Sequence, residues 1–188
     1  MWGVYWFDLP LGILLCFLFH LFVRNEMLLS LPPWFGRKFS AALSFDWKAH
    51  FRKHWPVILL SLVIGIYSHL IWDAFTHESG YFVRRSAALS TPVPLFGIRV
   101  PLFHLLQHGS TLIGAAAIFL ALKKLPDNFS FPGKFNFRYW LNAAAVMCIA
   151  IGIGGLAGKD YSVYGEFIIT GMSGGMLGMI IAGLRKRI

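Results

Sequence analysis

Pro56-Val-Ile-Leu-Leu-Ser-Leu-Val-Ile-Gly-Ile-Tyr-Ser-His-Leu-Ile-Trp72 contains no charged residue. Continued to Phe75, it reaches the roughly 20 apolar residues that an α-helix needs to cross a hydrocarbon layer about 30 Å thick. Its last part, Tyr67-Ser-His-Leu-Ile-Trp-Asp-Ala-Phe-Thr-His-Glu-Ser-Gly80, carries His69, Asp73 and His77 at intervals of four. Four helical steps advance about 400° and 6 Å, so the three groups share one stripe. Two imidazoles and a carboxylate are ligands suited to a divalent first-row metal, zinc above all. Ionisable groups in a membrane helix are costly and usually face a bundle interior or cavity. A polar network with a purely structural role is the other reading of the same stripe.

The composition around this run agrees with it. The 188 residues are 57% hydrophobic and 13% charged, where soluble domains carry about 25% charged residues. That deficit predicts an all-α polytopic membrane protein, a single transmembrane domain over 1–188. The net charge of +9 does not imply nucleic acid, because the basic residues sit in short loops between apolar runs, where they encode topology. Cys16 and Cys148 both lie in apolar runs and read as small buried hydrophobes, and neither a disulfide framework nor a cysteine metal site is indicated. No basic residue precedes the first apolar run and no small-residue cleavage site follows it, unlike an ordinary signal peptide.

Five spans are expected, over 9–23, 56–75, 102–122, 139–157 and 164–184. Aromatic Trp2, Tyr5, Trp6 and Phe7 mark the membrane interface ahead of the first. The linking segment 24–55 mixes Lys48, Arg52 and Lys53 with Trp47, Phe51 and Trp55, and predicts an amphipathic cytoplasmic loop on an anionic surface. Within it His50 and His54 read as part of a solvated basic face, and His20 as an interfacial polar residue. Prolines 92, 94 and 101 exclude a continuous helix through the later part of 78–100. The third span opens with His104, Gln107 and His108, the two histidines again four apart. In the last two spans Gly154 and Gly158, and Gly171 and Gly175, lie four apart and predict close helix approach, with Gly174 and Gly178 among the other small residues there.

Thirteen of the seventeen Lys and Arg residues fall on the side holding 24–55, 123–138 and the C-terminal Arg185-Lys186-Arg187. The positive-inside rule makes that side cytoplasmic and the N-terminus external. The second span then delivers His69, Asp73 and His77 to the outer half of the bilayer, where His104, Gln107 and His108 begin the third. Asp8, Asp160 and Glu166 fall on the same side.

Three motifs, Phe7-Asp8-Leu9-Pro10-Leu11-Gly12, Ser68-His69-Leu-Ile-Trp72-Asp73-Ala-Phe75-Thr76-His77 and Leu106-Gln107-His108-Gly109-Ser110, resemble domain of unknown function family 4184. The resemblance runs along most of the chain and implies a bacterial integral-membrane protein; the family has no established activity to carry over. Its members are expected to hold, upstream of Phe7, a segment with a His-Pro pair, a Pro-Asp and a further histidine, which this sequence does not show. The His-x-x-x-Asp spacing is also similar to that of membrane-bound metal-dependent hydrolases.

Three functions are open from the sequence. In a membrane-embedded hydrolase, His69, Asp73, His77, His108 and His104 would ligate the metal. Arg84, Arg85 and Arg99, with Gln107, would hold an anionic lipid or lipid-phosphate substrate. Asp73, Asp8 or Glu166 would supply a catalytic carboxylate. The alternatives are a non-catalytic structural or scaffold protein and a proton- or ion-coupled transporter. The bilayer is the expected partner.

Overall fold

A computed structural model describes residues 2–161 and 164–184; the basic Arg185-Lys186-Arg187 lie outside the described residues. Among the described residues, five helices are long and apolar enough to cross a membrane: α1 Val4–Leu29, α2 Trp47–Thr76, α3 Leu102–Lys124, α4 Phe137–Leu156 and α5 Tyr164–Leu184. The chain is an all-α, multi-pass membrane protein. Large apolar side chains such as Leu112, Ile113, Ile153 and Met172 stand exposed along its helices, a surface suited to lipid rather than water.

The first two helices exceed the bounds expected of them. α1 was expected to stop before Arg24, yet that residue is buried because its guanidinium finds partners. Nε donates to Asn25 Oδ1 (2.9 Å) and Nη2 to the Phe45 carbonyl (2.8 Å), while Nη1 lies 3.2 Å from His20 Nδ1. A satisfied cation no longer forces the helix out of an apolar setting, and α1 runs on to Leu29. It contains two π-helical turns, Val4–Asp8 and Phe19–Val23. α2 begins at Trp47 rather than at Pro56, and the proline sits inside the helix beyond a kink at His54 (φ −124°, ψ 19°). Proline lacks an N–H and crowds the carbonyl of residue i−4, so the distortion falls just before it. The expected loop 24–55 is therefore helical at both ends. Between them run a short helix, Pro33–Gly36, and a 3₁₀ stretch, Arg37–Ser44.

Contacts divide the chain into two compact units. The first comprises Phe51–Leu125 and the start of α1 through Ile13. Here the Tyr5 and Tyr67 hydroxyls meet at 3.1 Å, joining α1 to α2. Trp72 Nε1 donates to Ser110 Oγ (3.2 Å), joining α2 to α3. After α2 the chain folds back: Gly80 N–H donates to the His77 carbonyl (2.8 Å) and Phe82 N–H to the Ala74 carbonyl (3.0 Å). A Cβ at Gly80 would lie 2.5 Å from the Ala74 carbonyl oxygen, so this return requires glycine. Phe82 then stacks on Phe75, centroids 4.1 Å apart. The proline-rich segment expected to be a loop forms a hairpin, β1 Pro92–Leu95 antiparallel to β2 Ile98–Pro101. Phe96 and Gly97 turn it at φ 47° and 85°, the doubly left-handed pair of a type I′ turn.

The second unit comprises Leu14–His50 and the chain from Pro126 onward. α4 and α5 pack backbone to backbone. A Cβ at Gly174 would lie 2.7 Å from Ala150 Cβ, and one at Gly178 would lie 2.5 Å from the Ala143 carbonyl oxygen. Asn136 caps α4, its Oδ1 accepting from Tyr139 N–H at 3.2 Å. The Phe131 ring lies between Gly36 and Gly133, where a Cβ on either would overlap it.

Candidate functional site

The row of ionisable residues on α2 forms from its own spacing. Asp73 is half-buried, and its two carboxylate oxygens point in opposite directions along the helix. Oδ2 lies 3.4 Å from His69 Nε2 and Oδ1 3.6 Å from His77 Nδ1, both ion-pair distances. The side chains of His69 and His77 are 75% and 49% exposed, so both imidazoles are reachable from outside the protein. Thr76, buried beside them, turns its hydroxyl inward to the Trp72 carbonyl at 2.9 Å.

The other residues singled out in the sequence fall on separate elements. On α3, the His104 and His108 rings stack at 6.2 Å, and Phe103 packs on His104 at 4.3 Å. His104 Nδ1 is buried with no hydrogen-bond partner. Gln107 is half-buried one turn before Ser110, and its carbonyl accepts from the Ser110 and Thr111 hydroxyls. Arg84 and Arg85 end a 3₁₀ turn, with the Arg85 guanidinium 3.7 Å over the Tyr81 ring. Arg99 is exposed on β2, paired in register with Pro94. Asp8 lines a pocket with Tyr67, Ile71, Ala74 and Tyr81. With Leu70, which also lines it, those α2 positions lie on a face centred about 110° round the helix from Asp73. Glu166 belongs to the second unit, where it pairs with Lys159 at 3.2 Å.

A bound metal would need three or more of these groups to converge on one point. Among the described residues no three of His, Cys, Asp and Glu do so. The cause is geometric: Asp73 divides its two oxygens between imidazoles on opposite sides, so the donors string out along the helix. His104 Nδ1 is held without a partner, but the stripe does not complete a ligand set with it.

A second cluster escaped the sequence reading. His20 stacks on Trp47 (4.2 Å, 14°) and contacts Phe45, His50 packs on Phe45 at 4.9 Å, and Arg24 lies among them. His20 and His50 are thus packed aromatic neighbours, not surface polar residues. The signal available in the sequence was His20 and Arg24 four apart inside an apolar run; their distant partners left no local trace.

Fold and stripe together define a multi-pass helical membrane protein with an exposed His–Asp–His row near the end of a spanning helix. The chain belongs to the family described as Domain of unknown function (DUF4184), whose model matches residues 1–184. No curated protein and no solved structure matches it.

Proposed function

We propose that the protein is a membrane-embedded hydrolase acting at the non-cytoplasmic face of the bacterial inner membrane. The N-terminus lies outside and the C-terminus in the cytoplasm. The observation that carries this reading is the Asp73 carboxylate bracketed by His69 and His77 at 3.4 and 3.6 Å. A carboxylate beside an imidazole orients it and stabilises its protonated form during proton transfer. One imidazole takes the proton of an attacking water as its oxygen bonds to the phosphorus of a lipid phosphate. The lipid alkoxide leaves as the phosphorus–oxygen bond breaks, and it takes its proton from the other imidazole. Exposed Arg84 and Arg99 are suited to hold the phosphate oxygens, whereas Arg85 is engaged with Tyr81. Zinc is the cofactor the residue types suggest, but the side chains as placed do not converge, and no step is assigned to it.

The test is release of inorganic phosphate from lipid phosphate by the detergent-purified protein, with elemental analysis alongside. General acid–base groups contribute about 10²–10⁴-fold, so His69→Ala should lower the rate at least a hundredfold. An unchanged rate would sink the proposal. Near-stoichiometric zinc that disappears in a His69→Ala, Asp73→Ala double variant would assign a metal to the stripe.

The non-catalytic structural alternative draws on the same pairing, since two imidazoles on one helix satisfy the carboxylate without a substrate. It predicts that Asp73→Asn lowers the melting temperature and that no hydrolysis is found.

A further inference from the structure

We propose that the pocket between the start of α1 and α2 binds the headgroup of an amine-bearing phospholipid, its ammonium on Asp8 and its phosphate on Arg85. The pocket has a volume of about 720 Å³ and is walled by Tyr67, Leu70, Ile71, Tyr81 and Phe82, with Asp8 in its lining. That size lies within the range of small-ligand sites. Asp8 ends the first turn of α1, Val4–Asp8, beside the interfacial aromatics Tyr5, Trp6 and Phe7, and, among the described residues, makes no ion pair and no side-chain hydrogen bond. A half-buried carboxylate at the edge of the bilayer is stabilised by a cation that meets it.

The walls are suited to supply the rest of a cation site. Aromatic faces attract ammonium groups through their quadrupoles, and three of the lining side chains are Tyr67, Tyr81 and Phe82. The hydroxyl of Tyr67 is engaged by Tyr5 at 3.1 Å, which holds that ring in place. Tyr81 and Phe82 are held by the Gly80 return and by the stacking of Phe82 on Phe75. On the ring of Tyr81, a lining residue, sits the exposed Arg85 guanidinium, 3.7 Å from the centroid; its Nη1 donates to the Tyr81 carbonyl at 3.4 Å, and its remaining N–H groups are suited to a phosphate. A carboxylate in the lining and a guanidinium on a lining ring match a zwitterionic headgroup, and Leu70 and Ile71 offer apolar wall to the chains below it. The pocket occupies a different face of α2 from the His–Asp–His row, and the inference does not rest on hydrolysis.

Native mass spectrometry of the full-length protein, titrated with phosphatidylethanolamine and phosphatidylglycerol of identical acyl chains, tests it. The wild type should bind the ethanolamine lipid about tenfold more tightly, the scale of one charge-assisted contact. Asp8→Asn should abolish the preference while leaving phosphatidylglycerol binding unchanged. Tyr81→Leu, which keeps every charge, should weaken ethanolamine-lipid binding several-fold, and His69→Ala should leave the preference intact. Equal binding of the two lipids by the wild type, or a preference that survives Asp8→Asn, would overturn the assignment.

Discussion

Asp73 holds two imidazoles at once, and the exposure of the two histidines beside the half-buried carboxylate sets what that pairing is worth. Solvent-exposed ion pairs contribute about 0–1 kcal/mol. Asp73→Asn should therefore shift the melting temperature by no more than a few degrees, yet abolish hydrolysis of a lipid phosphate. A large thermal loss without any activity to lose would favour the structural reading instead. This row was legible in the sequence because it depends only on helical periodicity: residues four apart meet wherever the helix goes. Asp8 and Glu166 were not separable from it by the same means. Asp8 lines a different face of α2 because Tyr5 meets Tyr67, and Glu166 is engaged by Lys159. Both outcomes depend on contacts that no local spacing encodes. Convergence of His104 and His108 with the row was likewise beyond reach, since it turns on how α3 is rotated.

At the scale of elements, the helix pair α4–α5 rests on two glycines four apart, Gly174 and Gly178. The sequence indicated a small-residue interface and pointed first to Gly171 and Gly175. A Cβ at Gly171 would lie 3.7 Å from Ile151 Cδ1 and one at Gly175 3.8 Å from Met147 Sδ, both ordinary contact distances. Which of two overlapping glycine pairs faces the partner is fixed by rotation about the helix axis, and the composition of the segment leaves that open. Gly178→Leu would drive a side chain into the Ala143 backbone. Overpacking of this kind costs about 1–3 kcal/mol or more, and the variant should unfold in detergent at clearly lower temperature than Gly165→Leu, where a Cβ meets open space. Helix ends were misread for a related reason. Arg24 marks a terminus by composition, and only the remote Phe45 carbonyl, together with His20 and Asn25, makes its burial tolerable.

At the scale of the whole molecule, five spanning helices were legible because they follow from the near-absence of charge over long runs. The orientation proposed from basic-residue asymmetry has a direct test. In a Cys16→Ser, Cys148→Ser background, Phe96→Cys places a thiol at a hairpin tip that is 98% exposed. Phe129→Cys places one in the segment linking α3 and α4, at a residue that is 77% exposed. A membrane-impermeant maleimide applied to intact cells should label the first and reach the second only after lysis. The reverse pattern would invert the topology and move the His–Asp–His row to the cytoplasmic half of the bilayer. The hairpin itself went unforeseen because its prolines read only as excluding a continuous helix, whereas a short two-stranded ribbon accepts them at edge positions.

The π-turn at Phe19–Val23 gives α1 a tolerance for length change that its neighbour lacks. A π-turn closes on the fifth residue rather than the fourth and so holds one residue more than an α-turn. Removing Leu21 can convert it to ordinary helix while the segments on either side keep their facing. A single deletion in the regular stretch of α2, at Val63 for example, has no such slack. It would rotate everything beyond it by about 100°, carrying the His–Asp–His row away from its present face. Expression and thermal stability across a one-residue deletion scan should therefore show a permissive position in α1 and none between Ser61 and Trp72.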